Sequence, residues 1–409
     1  MRILYLNQWF DPEPFAKTLP FVKELQRQGH QVEVLTGFPN YPGGKVYPGY
    51  RIRPFKREIM DGVPVIRVAL YPSHDRSAFR RVLNYVSFSL SAAILGPFLV
   101  RRPDVIYTRH PAATIAFPAL ILKLLKRVPV VYDIEDLWPD TLSSTGMMRE
   151  KIILDLVSIW CRMTYRLVDH ITVVSPGMKA TLVKRGVPTW KVDIIHAWCN
   201  EYLLKFGDRI EKESLPEAMR GRFNILFAGN IGFAQALDAV LDAGILLRKG
   251  WPAIQFVILG DGIDLDRLKG RTRDEHIDNI LFLPRRPMKD MGSILRKADA
   301  LLVHLKHDPL FHIAIPSKTQ AYMAMGRPLL MAVEGDGAEL VSKADAGITC
   351  VPENPESISQ AAVELYQTDP MRLKEMGRNA ENYYRENLSL KSGTQKFIQI
   401  FEEVVHGNH

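Results

Sequence analysis

Cysteine is scarce in this chain. Only Cys161, Cys199 and Cys350 occur in 409 residues, and none stands in a CxxC pair or at metal-ligand spacing from a histidine. A disulfide-held scaffold is thereby excluded, and a reducing cytoplasmic compartment fits. Low-complexity tracts and short repeats are missing too. The opening Met1-Arg2-Ile3-Leu4-Tyr5-Leu6-Asn7 carries one basic residue and no small-residue cleavage site, so it reads as a buried strand rather than a signal peptide. No zinc-finger spacing, RNA-binding signature or basic helix is found, which argues against nucleic acid as a partner. GxGxxG is absent as well, and with it the dinucleotide fingerprint.

What is there suits two domains of ordinary size: 47% hydrophobic and 24% charged residues, with 27 Gly and 27 Pro. The net charge of +8 is unevenly placed. Residues 1–204 hold 27 Lys and Arg against 17 Asp and Glu, whereas residues 205–409 hold 26 against 28. A basic front half suits something anionic, either a membrane surface or phosphate.

Short apolar runs alternate with helix-period segments throughout. Strands are predicted at 3–6, 32–36, 65–69, 105–107, 130–134, 171–174 and 192–195, and then at 225–228, 256–259, 280–283, 300–305, 329–332 and 348–351. Helical patterns at 19–28, 151–167, 236–247 and 317–325 fill gaps between them. Nearly continuous apolar strands separated by helices imply α/β architecture, with parallel sheets covered on both faces. Two doubly wound, Rossmann-like domains are predicted, 1–204 and 205–387, with a polar linker at 205–222. A last helix at 388–409, apolar along one face, would pack back on the first domain. Ligands in such sheets bind beyond the carboxyl ends of the strands, so two facing domains would form a cleft there.

The loops after strands hold the candidates. The first, 7–18, is rich in proline and aromatics and leads into a helix. Next, Gly37-Phe38-Pro39-Asn40-Tyr41-Pro42-Gly43-Gly44 runs into Lys45, Arg51, Arg53, Lys56 and Arg57, with aromatics between them. That mixture suits phosphate at a membrane interface; a solvated loop is the alternative. Segment 82–100 lacks any charge and is bracketed by arginine pairs. It reads as a buried crossover helix, a shallow membrane insertion or, least in keeping with the alternation, a span. Glu135 and Asp136 end a strand and could take a hydroxyl proton or hold sugar hydroxyls, while His110 ends another. Helix capping and a structural histidine are the competing readings. In the second half, Gly229, Asn230 and Gly232 open one turn and Gly260 and Gly262 another. Pro316, Ser317 and Lys318 start a helix whose free amides and lysine suit a diphosphate. Gly335 and Glu339 lie in a Gly-rich turn at a further helix start. The Asp264-Leu265-Asp266 triplet, which resembles a metal motif by letters only, is read as capping.

These stretches together resemble the retaining glycosyltransferases of family 4, with the GT-B fold, and the likeness covers essentially the whole chain. It rests on the segments starting at Gly37, Asp136 (Asp136-Leu137-Trp138-Pro139), Val174, Phe227 and Leu259, and on Pro316-Ser317-Lys318 with the stretch 322–328. Bacterial O-antigen, capsule and colanic-acid transferases are the most similar, N-acetyl-L-fucosamine transferases among them. The resemblance implies that Gly229, Asn230, Gly232, Gln235, Gly260, Arg285, Pro316, Ser317, Lys318, Gln320, Gly335 and Glu339 surround a UDP-sugar donor. It implies catalytic roles for Glu135, Asp136, His110 and Lys318. Tyr41, Lys45, Arg51, Arg53, Lys56 and Arg57 would meet a lipid-linked saccharide acceptor at the anionic inner membrane surface. No cofactor or metal is implied. The chain departs from the pattern at Asn230 and Gln235, where the family has Arg and Lys. It departs again at Ile313 and Ala321, where the family has two glutamates, and at Ala16, where it has glycine. Lys318, Gln320 or Arg327 are candidates to compensate. Retaining transfer is the expected activity; a UDP-sugar epimerase and a non-catalytic sugar-nucleotide-binding protein are the alternatives.

Overall fold

The computed structural model describes residues 1–73, 78–110, 112–144, 148, 150–202 and 216–407. Most of the expected linker, 205–215, lies outside the described residues, as does the expected domain boundary at 204/205. The chain divides into two compact units, Met1–His196 with Gly393–His409, and Ala197–Ser392.

The first unit is built on an eight-stranded sheet in the order β3-β4-β2-β1-β5-β6-β7-β8. Its strands are β1 (Arg2–Leu6), β2 (Gln31–Gly37), β3 (Phe55–Met60), β4 (Val63–Val68), β5 (Val105–His110), β6 (Val130–Ile134), β7 (His170–Val173) and β8 (Val192–Ile194). All neighbours are parallel except β3 against β4. The segment 55–60 was expected to continue a basic loop, and instead it forms this antiparallel edge strand. The physical reason is the turn between the strands: Asp61 (φ 46°) and Gly62 (φ 84°) both adopt positive φ, as a two-residue Asp-Gly hairpin requires. Charged residues on the edge fit the need to discourage further pairing.

Helices α1 (Leu19–Arg27), α2 (Ala78–Leu99), α3 (Ala116–Lys126), α4 (Asp140–Ser144), α5 (Lys151–Leu167) and α6 (Pro176–Lys184) connect these strands. Helix α2 carries the chain from β4 to β5 as a crossover, with Phe88 and Ala92 fully buried. Among the described residues it is the one helix long and apolar enough to cross a membrane, yet its place in the sheet connection makes it part of the unit. Its other side is not covered, as described below.

The second unit has a six-stranded parallel sheet in the order β11-β10-β9-β12-β13-β14. The strands are β9 (Phe223–Asn230), β10 (Ile254–Asp261), β11 (Ile280–Pro284), β12 (Ala300–His304), β13 (Leu329–Ala332) and β14 (Gly347–Thr349). This is the doubly wound Rossmann order, which reverses between β9 and β12. The covering helices are α7 (Asp238–Leu247), α8 (Leu265–Asp274), α9 (Met288–Lys297), α10 (Pro309–His312), α11 (Ser317–Ala324), α12 (Asp336–Lys343), α13 (Pro355–Gln367) and α14 (Pro370–Tyr383). Two apolar clusters fill the spaces above and below the sheet, one around Leu226, Val303 and Met331, the other around Phe227, Phe256 and Leu302. Asp264 does occupy the start of α8, but its carboxylate makes no capping bond and instead accepts from Arg267 Nε at 2.6 Å.

A final helix, α15 (Leu390–His406), follows. Its Phe397 packs against Phe21 and Tyr107, with ring centroids 5.3 and 5.2 Å apart, so the chain's last segment belongs to the first unit's core.

Candidate active site

In the second unit the switch between β9 and β12 holds an unpaired buried cation. Tyr322 on α11 anchors that helix to β9: its hydroxyl accepts the Ala228 N–H at 2.7 Å and donates to the Ala228 carbonyl at 3.1 Å. So fixed, α11 lays the Lys318 Nζ 3.7 Å from the centroid of the Phe227 ring. A Cβ on Gly229, whose φ is +149°, would stand 3.6 Å from that ammonium. The Nζ is buried and makes no hydrogen bond. Burial alone pushes its pKa down, to about 7. The ring face offsets part of the cost of an unpaired cation, but an anion would offset far more. The free N–H groups of the first turn of α11 add to the same attraction.

The surrounding candidates divide sharply. Asn230 is exposed at the end of β9 and Arg285 is exposed after β11, both at the carboxyl edge. Ser317 is exposed at the first position of α11, behind Pro316 at its cap. Gly335 (φ +70°) caps α12, whose Glu339 is exposed. Gly260 has a packing reason: a Cβ there would fall 1.9 Å from the Gly229 carbonyl oxygen. The Gly232 N–H donates to Gln235 Oε1 at 3.1 Å. Gln320, expected to help hold the donor, is buried; its amide donates to the carbonyls of Pro316 and Ser317 at 2.9 and 3.0 Å. It braces its own helix start, because a buried amide must satisfy its donors locally. Arg327, the other candidate to compensate, gives its guanidinium to the Arg296 carbonyl.

His304 was not anticipated as a site residue. It ends β12, and its Nδ1 donates to the Gln235 carbonyl at 2.7 Å while Nε2 accepts the Glu353 N–H at 3.1 Å. That pairing fixes a neutral tautomer, and burial holds the ring down at about 4. The imidazole therefore ties the turn after β9 to the loop before α13.

In the first unit, the strand-end carboxylates do not act alike. Glu135 accepts from Arg109 Nε at 2.6 Å and lies 3.0 Å from Lys17 Nζ. Lys17 in turn meets Asp133 at 2.8 Å, and Asp133 also accepts from Tyr107 and Thr172. Two buried cations thus balance two carboxylates. Burial would raise the Glu135 pKa, but Arg109 and Lys17 hold it down to about 2. Glu135 is therefore a fixed anion, unsuited to trade a proton near neutrality. Asp136, by contrast, is exposed as a residue; its carboxyl group is nonetheless shielded enough to rise to about 6, with the Glu135 charge adding to the effect. Its pKa lies in the range that acid or base work needs, as does that of Glu13, which burial raises to about 7.

His110 does not present itself to a ligand. Its ring is fully buried, stacked on Tyr132 with centroids 5.4 Å apart and set edge-on to Trp138 at 5.7 Å. Neither ring nitrogen has a hydrogen-bond partner, and burial pushes the pKa down to about 3. Contrary to the accessible catalytic group expected, the ring is closed off from solvent beside Tyr132 and Trp138. Lys17, Arg109 and Asp133 were missed; for Asp133 the charge inside the otherwise apolar run 130–134 was a readable signal, and for Lys17 the sequence offered none.

The basic loop is held from beneath. Arg67, fully buried, donates to Glu58 at 2.5 Å, to the Gly37 carbonyl at 3.0 Å and to the Asp11 carbonyl at 2.6 Å. Glu13 accepts backbone N–H groups from Phe10, Asn40 and Tyr41 at 2.7 to 3.0 Å, so the loops after β1 and β2 are tied together. Tyr41 packs on Trp9 and Phe15 in that junction. Lys56 pairs with Glu58 at 2.6 Å over the Tyr50 ring, and Arg57 donates to the Leu99 carbonyl at 2.6 Å, capping α2. Lys45, Arg51 and Arg53 remain exposed, and Gly49, Tyr50, Arg51, Arg53 and Lys56 line a shallow groove. In the same unit α2 exposes Val82, Val86, Leu90, Ile94 and Phe98, the last two at 64% and 85%. Ile152, Leu156, Ile159 and Met163 form a similar exposed stripe on α5.

Two parallel-sheet Rossmann-like units, each with polar and charged groups gathered at its carboxyl edge, define a GT-B-type glycosyltransferase. The model of the glycosyl transferase 4-like domain matches residues 17–198, and that of glycosyl transferases group 1 matches residues 222–368. The chain belongs to this glycosyltransferase family. It is 25% identical to the colanic acid biosynthesis glycosyl transferase WcaI of Escherichia coli K12, over 97% of this chain and 99% of that one. It is 24% identical to the glycosyltransferase WbjE of Pseudomonas aeruginosa, over 71% of this chain and 73% of that one. Among solved structures, Anabaena Alr3699/HepE in complex with UDP superposes with a TM-score of 0.66 at 13% identity, covering 98% of this chain and 100% of that one. The UDP-forming trehalose-phosphate synthase of Burkholderia vietnamiensis does so with a TM-score of 0.72 at 13% identity, covering 98% and 97%.

Proposed function

We propose that this glycosyltransferase moves a sugar, with retention, from a UDP-linked donor to a lipid-linked saccharide at an anionic membrane surface, in the assembly of a bacterial surface polysaccharide. One observation carries the donor half: a buried ammonium, Lys318, with no hydrogen-bond partner at the start of α11. A diphosphate is the anion that suits both this cation and the helix amides. The UDP and UDP-glucose complexes of the HepE neighbour support the nucleotide. As the sugar–phosphate bond breaks, negative charge grows on the leaving diphosphate, and preorganised donors stabilise it without a metal ion. In retaining attack from the same face, the departing phosphate takes the acceptor's hydroxyl proton, and Asp136 orients a sugar hydroxyl.

Support for the acceptor half comes from the first unit. The first unit carries both the exposed Arg51 and Arg53 and exposed apolar stripes on α2 and α5, the combination of charge and oil that an anionic bilayer attracts. The relative named for colanic acid biosynthesis supports a polysaccharide product. Purified protein incubated with UDP-sugars and bacterial membrane extract tests the whole reading. Sugar appearing in the lipid fraction is the expected result. Epimerised donor without any lipid product, or UDP binding without turnover, would overturn it.

A further inference from the structure

The loop after β12 and the loop after β13 bring together a group that the sugar transfer leaves unused: His307, His312 and Glu334. Two imidazoles and a carboxylate are a donor set for a divalent transition metal. His307 Nδ1 lies 2.9 Å and His312 Nε2 2.7 Å from the same Glu334 oxygen, Oε2. All three ligand atoms fall within 4.8 Å of one another. The Nε2 of His312 is sealed from solvent, yet it makes no hydrogen bond even at this approach to Glu334.

The scaffold beneath the three side chains is rigid. His307 is anchored through its N–H to Glu353 Oε2 at 2.5 Å, and Glu353 is itself bound to His304. Asp308 caps α10 by accepting from Leu310 N–H at 2.9 Å, which sets the spacing between His307 and His312. On the other side, Gly335 has φ +70° and a Cβ there would fall 1.9 Å from the His312 carbonyl oxygen. Only glycine lets the Glu334 backbone press this closely on the turn that holds His312. Preformed ligand geometry of this kind lowers the ordering cost of binding an ion.

We infer that His307, His312 and Glu334 form a binding site for a divalent transition-metal ion such as Zn²⁺, with its remaining coordination positions open to solvent. Tetrahedral bonds of about 2.0–2.1 Å put ligand atoms roughly 3.3 Å apart, so the two contacts to Glu334, at 2.9 and 2.7 Å, must open by about half an ångström and the ligand atoms, now within 4.8 Å of one another, must close to the same spacing. The side chains are between about a third and three fifths exposed, leaving room for water or a ligand oxygen at the open positions. No step of the sugar transfer is assigned to this ion.

Zn²⁺ titrated by calorimetry into metal-free protein without nucleotide tests the site, with stoichiometry checked by elemental analysis after gel filtration. One ion should bind per chain at micromolar or tighter dissociation constant. H307A, H312A and E334Q should each weaken binding tenfold or more, while their melting temperatures stay near the parent's because the cluster is partly exposed. Co²⁺ should give visible absorption bands in the parent that H312A lacks. Unchanged Zn²⁺ affinity in the H307A/H312A double variant, or no binding below millimolar in the parent, would overturn the site. UDP affinity of the metal-free protein reports on the transfer reading separately.

Discussion

Lys318 makes the donor site testable through its proton. In the free protein, burial places its pKa at about 7. A bound diphosphate would return it to the ordinary lysine range, so binding favours the protonated form. The sign follows: UDP binds best below pH 7, where the ammonium already exists, and more weakly as pH rises. At pH 8 a group with pKa about 7 is roughly one tenth protonated, so UDP binding should take up about 0.9 proton. Above that pH the affinity should fall about tenfold per unit. Calorimetry at pH 8 in two buffers of different ionisation enthalpy measures the uptake, and UDP itself does not titrate there because its last phosphate pKa is near 6. Lys318→Met should cost about 10- to 100-fold in UDP affinity through loss of a charge-assisted contact. It should also raise the melting temperature of the unliganded protein near pH 6. A lysine depressed below its unfolded value weakens the fold progressively from pH 10.5 down to about 7, and fully below that. A dissociation constant that is flat from pH 7 to 9 without proton uptake, or a Lys318→Met variant that binds UDP normally, would refute the reasoning.

Arg109→Ala leaves Glu135 buried beside Lys17 alone and should cost about 3 kcal/mol in urea unfolding; a loss below 1 kcal/mol would show that the network contributes little. Ile94→Glu with Phe98→Glu should reduce sedimentation with anionic vesicles while leaving the melting temperature unchanged, since both residues are exposed. Equal sedimentation of variant and parent would end the membrane reading of α2. Asp136→Asn should lower kcat about 100-fold and remove a rise in rate through pH 6, where the carboxyl ionises; a variant that keeps that limb assigns it to another group.

The division between sequence and structure is instructive at particular residues. The apolar runs are unambiguous because a strand buried on both faces must be apolar throughout. Every predicted strand is therefore present, with ends displaced by three residues or fewer. Edge strand β3 escaped because its basic and aromatic residues resemble an interface loop; Asp61-Gly62 was the overlooked signal. The start of α11 was legible from Pro316 and Ser317 alone, because a proline before the first helical residue marks a helix start whatever surrounds it.

What lies around each charge was beyond the sequence. Glu135 and Asp136 are neighbours with the same chemistry, yet one is clamped between Arg109 and Lys17 and the other is not. That difference comes from residues over a hundred positions away in the case of Lys17, and pairing over such separations is set by which strands lie side by side. His110 and Lys318 show the same rule from opposite directions. Burial keeps the histidine neutral among aromatic rings, whereas it leaves the lysine a cation in need of a counter-charge. Local pattern fixed the strands, helices and helix starts, since these depend on near neighbours; the tertiary packing decided which charges are neutralised, because solvation and ion pairing depend on everything the fold brings near.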